Sequence, residues 1–278
     1  MSNSQVFIAT NTITINREEI TPSLLHAAVA AIDAGDALAV VVKNFYPSSC
    51  CQLAAALIEA SSNMEGYAVE PSFLKSGETI FDTQGDSALV ARYLALAPSQ
   101  RAALQNKMLP LVAPDKLLQM FWQDLWPHSA CLEEFNNGQF ANFGVARQIR
   151  RGGAVEPHCD RTDADLPGNA AAISHRMRCP GNVYLRVPGN DGGGVLQLWD
   201  MRPDAESYKS LRDSNSPYAL DRKKLGPPAV CIQPEIGTYV FFSGAVPHAV
   251  TPVSSGDRIA VSGFVAFTSF DATARLYS

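Results

Sequence analysis

The stretch "GTYVFFSGAVPHAVTPVSSGDRIAVSGFVAFTS", residues 237–269, decides the fold class. It holds two strongly β-forming runs, Tyr239 to Phe242 and the run that opens at Arg258. Between them lie Gly, Pro and Ser turn signals and a lone histidine, His248. Working back toward residue 143, the same texture repeats in "FGVARQI", "NVYLRV", "GVLQLW" and "AVCIQ", each a short β-rich run bounded by Gly or Pro. Short strands with turn signals between them predict an all-β sandwich or barrel.

The preceding part reads differently. Residues 20 to about 130 are rich in alanine and leucine at helical spacing. "TPSLLHAAVAAIDAGD" predicts a helix capped by Thr21, opened by Pro22 and stopped near Gly35. "ALAVVV" predicts a buried strand, and "PSSCCQLAAALIEAS" the next helix. "PSQRAALQNKMLPLV" and "PDKLLQMFWQDLW" predict two more, each opened by a proline. The expected organisation is a single domain over 1–278: a helix-rich part over about 1–135, packed on the outside of a β core over about 140–270. Residues 200–228 interrupt the strand pattern with a polar, turn-rich excursion that includes a possible short helix. It reads equally as a lid or as a surface loop.

Net charge is −5, and no basic block is present, which argues against a nucleic-acid partner. No apolar run approaches the ~20 residues of a membrane helix. The first residues lack the basic-then-apolar pattern of a secretory signal, so a cytoplasmic location is expected. The six cysteines form no CxxC pair and no regular framework, and are expected to be reduced thiols.

"EPHCDRTDAD", residues 156–165, places His158 and Asp160 two positions apart. Alternate residues of a strand face one side, so both can aim at one point. His248 supplies a second imidazole from the far end of the β-rich part. Two imidazoles and a carboxylate form a facial triad suited to non-haem Fe(II), with positions left open for co-substrate and oxygen. Arg258 follows His248 by ten residues, with Ala260 and Ser262 on its face of the strand. An inward guanidinium there suits a carboxylate. Rival readings of other residues are weaker. His175 and Cys179 are spaced for a helix-borne zinc pair, but no further ligands complete the set. "GNDGGG" precedes a strand and reads as a hairpin turn, not a phosphate cradle.

His158-x-Asp160, His248 and then Arg258 resemble the Fe(II)- and 2-oxoglutarate-dependent dioxygenases. "GGGVLQLWD" is similar to a strand after a glycine turn in that family. "GDALAVVVKNFYPSSCCQLAAALIE" is similar to its opening strand and helix, so the likeness spans most of the chain. The resemblance implies a mainly β fold with flanking helices, a double-stranded β-helix (jelly roll, cupin-like). It implies iron held by His158, Asp160 and His248, and 2-oxoglutarate paired with Arg258. The implied reaction converts 2-oxoglutarate and O2 to succinate and CO2 while hydroxylating an unactivated C–H bond. A small molecule, an amino acid or natural-product intermediate, is the expected substrate. The family's Arg-x-Ser pair is not intact, because residue 260 is Ala and the serine is at 262. Asp160 occupies the position that a halogenating branch leaves as Gly or Ala, which argues for oxygen transfer. Desaturation and cyclisation stay open, as does a non-catalytic cupin-like binding module. Alternation makes Asn182 and Tyr184 candidates for contacting 2-oxoglutarate. Arg147, Trp199, Arg161 and Asp163 are candidates for the substrate side. The oligomeric state is not readable.

Overall fold

The computed structural model describes residues 7–9, 11–61, 64–67, 70–83, 85–135, 138–160 and 175–278. Its first part runs through β1 (Phe7–Ala9), β2 (Thr12–Asn16), a 3-10 turn (Arg17–Glu19), α1 (Pro22–Ala34), β3 (Ala39–Lys43) and α2 (Ser48–Glu59). It continues with β4 (Met64–Tyr67), β5 (Glu70–Ser76), a 3-10 turn (Ile80–Thr83), α3 (Ser87–Met108) and α4 (Pro114–Leu125). Three short strands follow: β6 (Ala130–Leu132), β7 (Glu134–Phe135) and β8 (Gln139–Phe140). Next come β9 (Val145–Ile149), β10 (Val155–His158), β11 (Met177–Arg186), β12 (Leu196–Leu198), α5 (Ala205–Leu211) and α6 (Arg222–Leu225). The chain closes with β13 (Val230–Ile232), β14 (Tyr239–Phe242), β15 (His248–Val250), β16 (Arg258–Phe267) and β17 (Ala274–Tyr277).

The β core is a jelly roll. Among the described residues, the larger sheet contains the order β3-β14-β11-β16-β9-β5, and the smaller is β10-β15-β12-β13. From β9 to β16 the described strands alternate between the sheets, except that β12 and β13 are both in the smaller one. The sheets meet face to face: Tyr184, Val240, Phe242 and Ala260 of the larger pack on Leu196, Leu198 and Val230 of the smaller. The other face of the larger sheet is apolar too. Val183, Phe241, Ile259 and Val261 pack there against Leu25 and Ile32 of α1, Ala54 and Ile58 of α2, and Trp122 of α4. That second buried face explains why β11 and β16 are apolar on both sides rather than alternating with polar residues.

The helix-rich part contributes more strands than its composition suggests. β2 and β3 extend one edge of the larger sheet, and the β4–β5 hairpin extends the other. The first helix follows its sequence signals: Thr21 Oγ1 accepts from the Leu24 N–H, and Gly35 ends it at φ 86°. The expected helix opened by Pro98 is corrected. α3 begins eleven residues earlier, where Asp86 caps the Ala88 and Leu89 N–H groups, and Pro98 lies inside it on the exposed side. A missing N–H and a ring clash are tolerated there because solvent takes the freed carbonyl.

Candidate metal centre and its cavity

Register brings the two histidines together. β10 pairs antiparallel with β15 so that His158 lies directly opposite His248. Their ring centroids are 4.3 Å apart. Asp160 follows immediately after β10, where its N–H donates to the Gly244 carbonyl at 2.9 Å. His158 Nε2 lies 3.8 Å from Asp160 Oδ1, and His248 Nε2 lies 3.5 Å from Asp160 Oδ2. One ligand atom from each of the three residues falls within 4.8 Å of the others.

The donors are presented as a metal requires. His158 Nδ1 contacts the Glu156 carbonyl at 2.8 Å, and His248 Nδ1 the Val246 carbonyl at 3.0 Å. A carbonyl accepts only, so each Nδ1 carries the proton and each Nε2 keeps its lone pair. Burial, reinforced by the neighbouring His158, lowers the His248 imidazole to about 4 against the opposing pull of Asp160, so it is neutral at neutral pH. Burial works to raise the Asp160 carboxyl, but the fields of His248, His158, Arg178 and Arg147 outweigh it and hold it below the ordinary range. Asp160 Oδ2 is buried with no hydrogen-bond partner. An orphaned buried carboxylate oxygen facing two imidazole lone pairs fits a divalent cation, and the nitrogen–oxygen donor set suits Fe(II).

The three residues open onto a cavity of about 480 Å³ between the two sheets. Arg258 lies in its wall and is buried. Its Nη2 donates to the Tyr184 hydroxyl at 3.1 Å, and its Nη1 approaches the Gly194 carbonyl at 3.5 Å. It pairs with no carboxylate among the described residues. Asn182 and Arg147 also line the cavity. Arg147 donates from Nε to the Tyr67 hydroxyl at 3.1 Å.

Other expected residues stand elsewhere. Ser262 is buried but does not line the cavity; its hydroxyl donates to the Val145 carbonyl at 3.3 Å. Trp199 is also away from the cavity. On β12 it is Leu196 that points inward, so the alternate face, with Trp199 nearby, looks outward. There Trp199 packs with Cys159, Leu220, Leu225 and Ala249, and its indole donates to the Gly226 carbonyl at 2.9 Å. Arg161 and Asp163 lie outside the described residues. Arg186, two residues beyond Tyr184 on β11, does not share its face. A bulge between Tyr184 and Arg186 turns it outward, to Glu59 and Asp257.

The cavity has walls that sequence reasoning missed. Tyr67 and Phe73 reach it from the β4–β5 hairpin, Phe81 from the following turn, and Tyr208, Arg212 and Tyr218 from the 200–228 excursion. The excursion is stitched to β10. The Leu220 N–H donates to the Pro157 carbonyl at 2.7 Å, Arg222 pairs with Glu156, and Tyr218 stands edge-on to His158. No local signal marks these residues, because their roles depend on which segments fold over the mouth.

No family model matches the chain, and no curated protein matches it. Solved structures do. An N-substituted L-amino acid dioxygenase from Burkholderia ambifaria AMMD is similar at TM-score 0.61 and 18% identity, over 91% of both chains. Its complex with alpha-KG aligns equally well, at 17% identity. A 2OG-Fe(II) oxygenase family oxidoreductase from Burkholderia pseudomallei is similar at TM-score 0.51 and 13% identity, over 94% of this chain and 97% of the other. At these identities the likeness is one of architecture: the chain has the fold of the Fe(II)/2-oxoglutarate oxygenases.

Proposed function

We propose that the protein is an Fe(II)- and 2-oxoglutarate-dependent oxygenase that hydroxylates an unactivated C–H bond of a small molecule, an amino acid derivative or natural-product intermediate. One observation carries this reading. The His158, Asp160 and His248 ligand atoms converge in the same cavity as a buried arginine, Arg258, that has no carboxylate partner among the described residues.

The iron would be held by His158 Nε2, Asp160 and His248 Nε2, and 2-oxoglutarate by Arg258, with Tyr184 behind it rather than in the cavity wall. Bound together, they supply the oxidant, consuming O2 and 2-oxoglutarate and releasing succinate and CO2. The chain's own work is positioning. The backbone carbonyls of Glu156 and Val246 hold the two imidazole tautomers. Arg258, steadied by the Tyr184 hydroxyl, offers paired N–H donors to a carboxylate in a desolvated wall. Asn182 adds a polar contact on the same inner face, while Phe242 packs on His248 and keeps water from that side. Asp160 supplies a carboxylate where a halide would otherwise need room, which favours hydroxylation over halogenation. The chain acts as a single unit, the helices shielding the outer face of the larger sheet. Among the described residues no disulfide joins any of the six cysteines, which supports a reducing, cytoplasmic setting.

The test is binding. Under anaerobic conditions, Fe(II) followed by 2-oxoglutarate should give the weak visible charge-transfer band of a keto-acid chelate. His158→Ala and His248→Ala should lose both metal uptake and the band. Metal uptake with no response to 2-oxoglutarate would refute the reading in favour of a cupin-like binding module.

A further inference from the structure

The cavity holds more positive charge than the proposed centre uses, an inference that rests on the oxygenase reading. A divalent ion, the Asp160 carboxylate, dianionic 2-oxoglutarate and Arg258 sum to zero charge. Two further arginines, Arg147 and Arg212, line the same cavity. Arg212 is committed to its own turn, donating to the Ser216 and Pro217 carbonyls. Arg147 is not. Its Nε donates to the Tyr67 hydroxyl, and its two Nη atoms have no partner among the described residues.

Register separates Arg147 from the co-substrate end. On β16, Ala260 lies between Tyr184 on one side and Arg147 on the other. Arg258 turns toward Tyr184 and Gly194. Arg147 instead contacts the β4–β5 wall, where the Tyr67 ring packs tilted against Phe73 at 4.9 Å. Ala260, whose side chain is a single methyl, lines the cavity with both arginines. The cavity lining includes the apolar Phe73, Ile149, Val155 and Phe264, and the buried Lys75 opposite Arg147 in the sheet is already paired with Asp82 at 3.0 Å. Among the described residues, Asp160 is the only acidic side chain that lines the cavity, and the metal takes it. Among the described side chains, a substrate carboxylate therefore has a free partner in Arg147, whereas a substrate ammonium group meets no carboxylate that the metal would leave free. A buried charge without a partner is strongly disfavoured.

We propose that the substrate is a carboxylic acid with an apolar body and no free amine, its carboxylate held by Arg147 beside Tyr67.

The experiment is calorimetric titration of the anaerobic Fe(II)–2-oxoglutarate protein. The probes are N-acetyl-L-leucine, N-acetyl-L-phenylalanine and 4-phenylbutanoate, each against its carboxamide, with L-leucine and L-phenylalanine as free-amine controls. At least one acid should bind, with its carboxamide and the matching free amino acid about tenfold weaker or more. Arg147→Gln should abolish the preference for acid over amide, and Arg147→Lys should restore part of it. In both variants 2-oxoglutarate affinity should stay within about twofold, which also reports an intact fold. The proposal is overturned if none of the acids binds, if amides or free amino acids bind as well as acids, or if the preference survives in Arg147→Gln. It is equally overturned if Arg147→Gln weakens 2-oxoglutarate as much as Arg258→Ala does. Titrating 2-oxoglutarate in the same samples separates the two failures. Protein that takes up no 2-oxoglutarate refutes the oxygenase reading, whereas uptake without acid preference refutes this proposal alone.

Discussion

The absence of a side chain at Gly244 is what lets Asp160 reach the two histidines. A Cβ at 244 would lie 3.0 Å from the Asp160 Cβ and 3.2 Å from Oδ2, while the backbone there must also accept the Asp160 N–H. Gly244→Ala should push the carboxylate off its line and weaken divalent-metal binding about tenfold or more, with the circular dichroism of the folded protein retained. Unchanged metal affinity would show that Asp160 has room to adjust. Arg258→Ala makes the complementary cut. Removing a buried charge-assisted partner should lower 2-oxoglutarate affinity roughly 10- to 100-fold and leave metal affinity within about twofold. An unaltered 2-oxoglutarate affinity would place the anchor elsewhere. At this scale the His158-x-Asp160 pair was legible in its spacing, and His248 and Arg258 through the order in which they follow it, which the family resemblance made meaningful. Gly244 was not, because its role is a close approach between two segments far apart in sequence.

Elements decide which of the sequence's candidates face the cavity. Period-two alternation puts Arg147 and Ile149 on one face of β9, and both line the cavity, but it cannot say which face of a strand is inward when both are buried. Trp199 shows the difficulty: it belongs to the outer face of the smaller sheet, roofed by the α5–α6 excursion. Trp199→Ala should therefore cost about 3–5 kcal/mol of stability in urea unfolding, while metal and 2-oxoglutarate affinities at permissive temperature stay close to wild type. A selective loss of ligand affinity with normal stability would return Trp199 to the site. The β4–β5 hairpin escaped the sequence reading for a different reason. β5 carries Pro71 near its start and Lys75 on its inner side, an edge strand's composition, and it sits within a helix-rich stretch. Helix boundaries suffered similarly, since a proline that usually opens a helix lies in this case within α3.

Across the whole molecule, two buried ionisable groups pull the stability of the metal-free protein in opposite directions as pH changes. His248 is held at about 4 by burial, below the 6.5 of an unfolded imidazole. Between those values the unfolded chain binds the extra proton, so this contribution is complete above pH 6.5 and is lost as pH falls toward 4. Asp115, at the start of α4, is raised by burial to about 6 from 3.8, only partly offset by the 2.6 Å hydrogen bond from Gln105 Nε2. Here the folded chain binds the extra proton, so its contribution is complete below pH 3.8 and is lost as pH rises through 6. Each amounts to something on the order of 3 kcal/mol, and in the shared window from about pH 4 to 6 they nearly cancel. Asp115→Asn keeps an oxygen to accept from Gln105 and removes one side of the balance. The metal-free variant should be more stable than wild type at pH 7 and should lose stability more steeply between pH 6.5 and 4.5, read from urea midpoints at half-unit steps. A pH dependence parallel to wild type would mean that Asp115 does not hold its proton in the folded chain. Bound metal should add stability at neutral pH and steepen the acid loss in wild type and variant alike, because protonating the imidazoles also releases the ion.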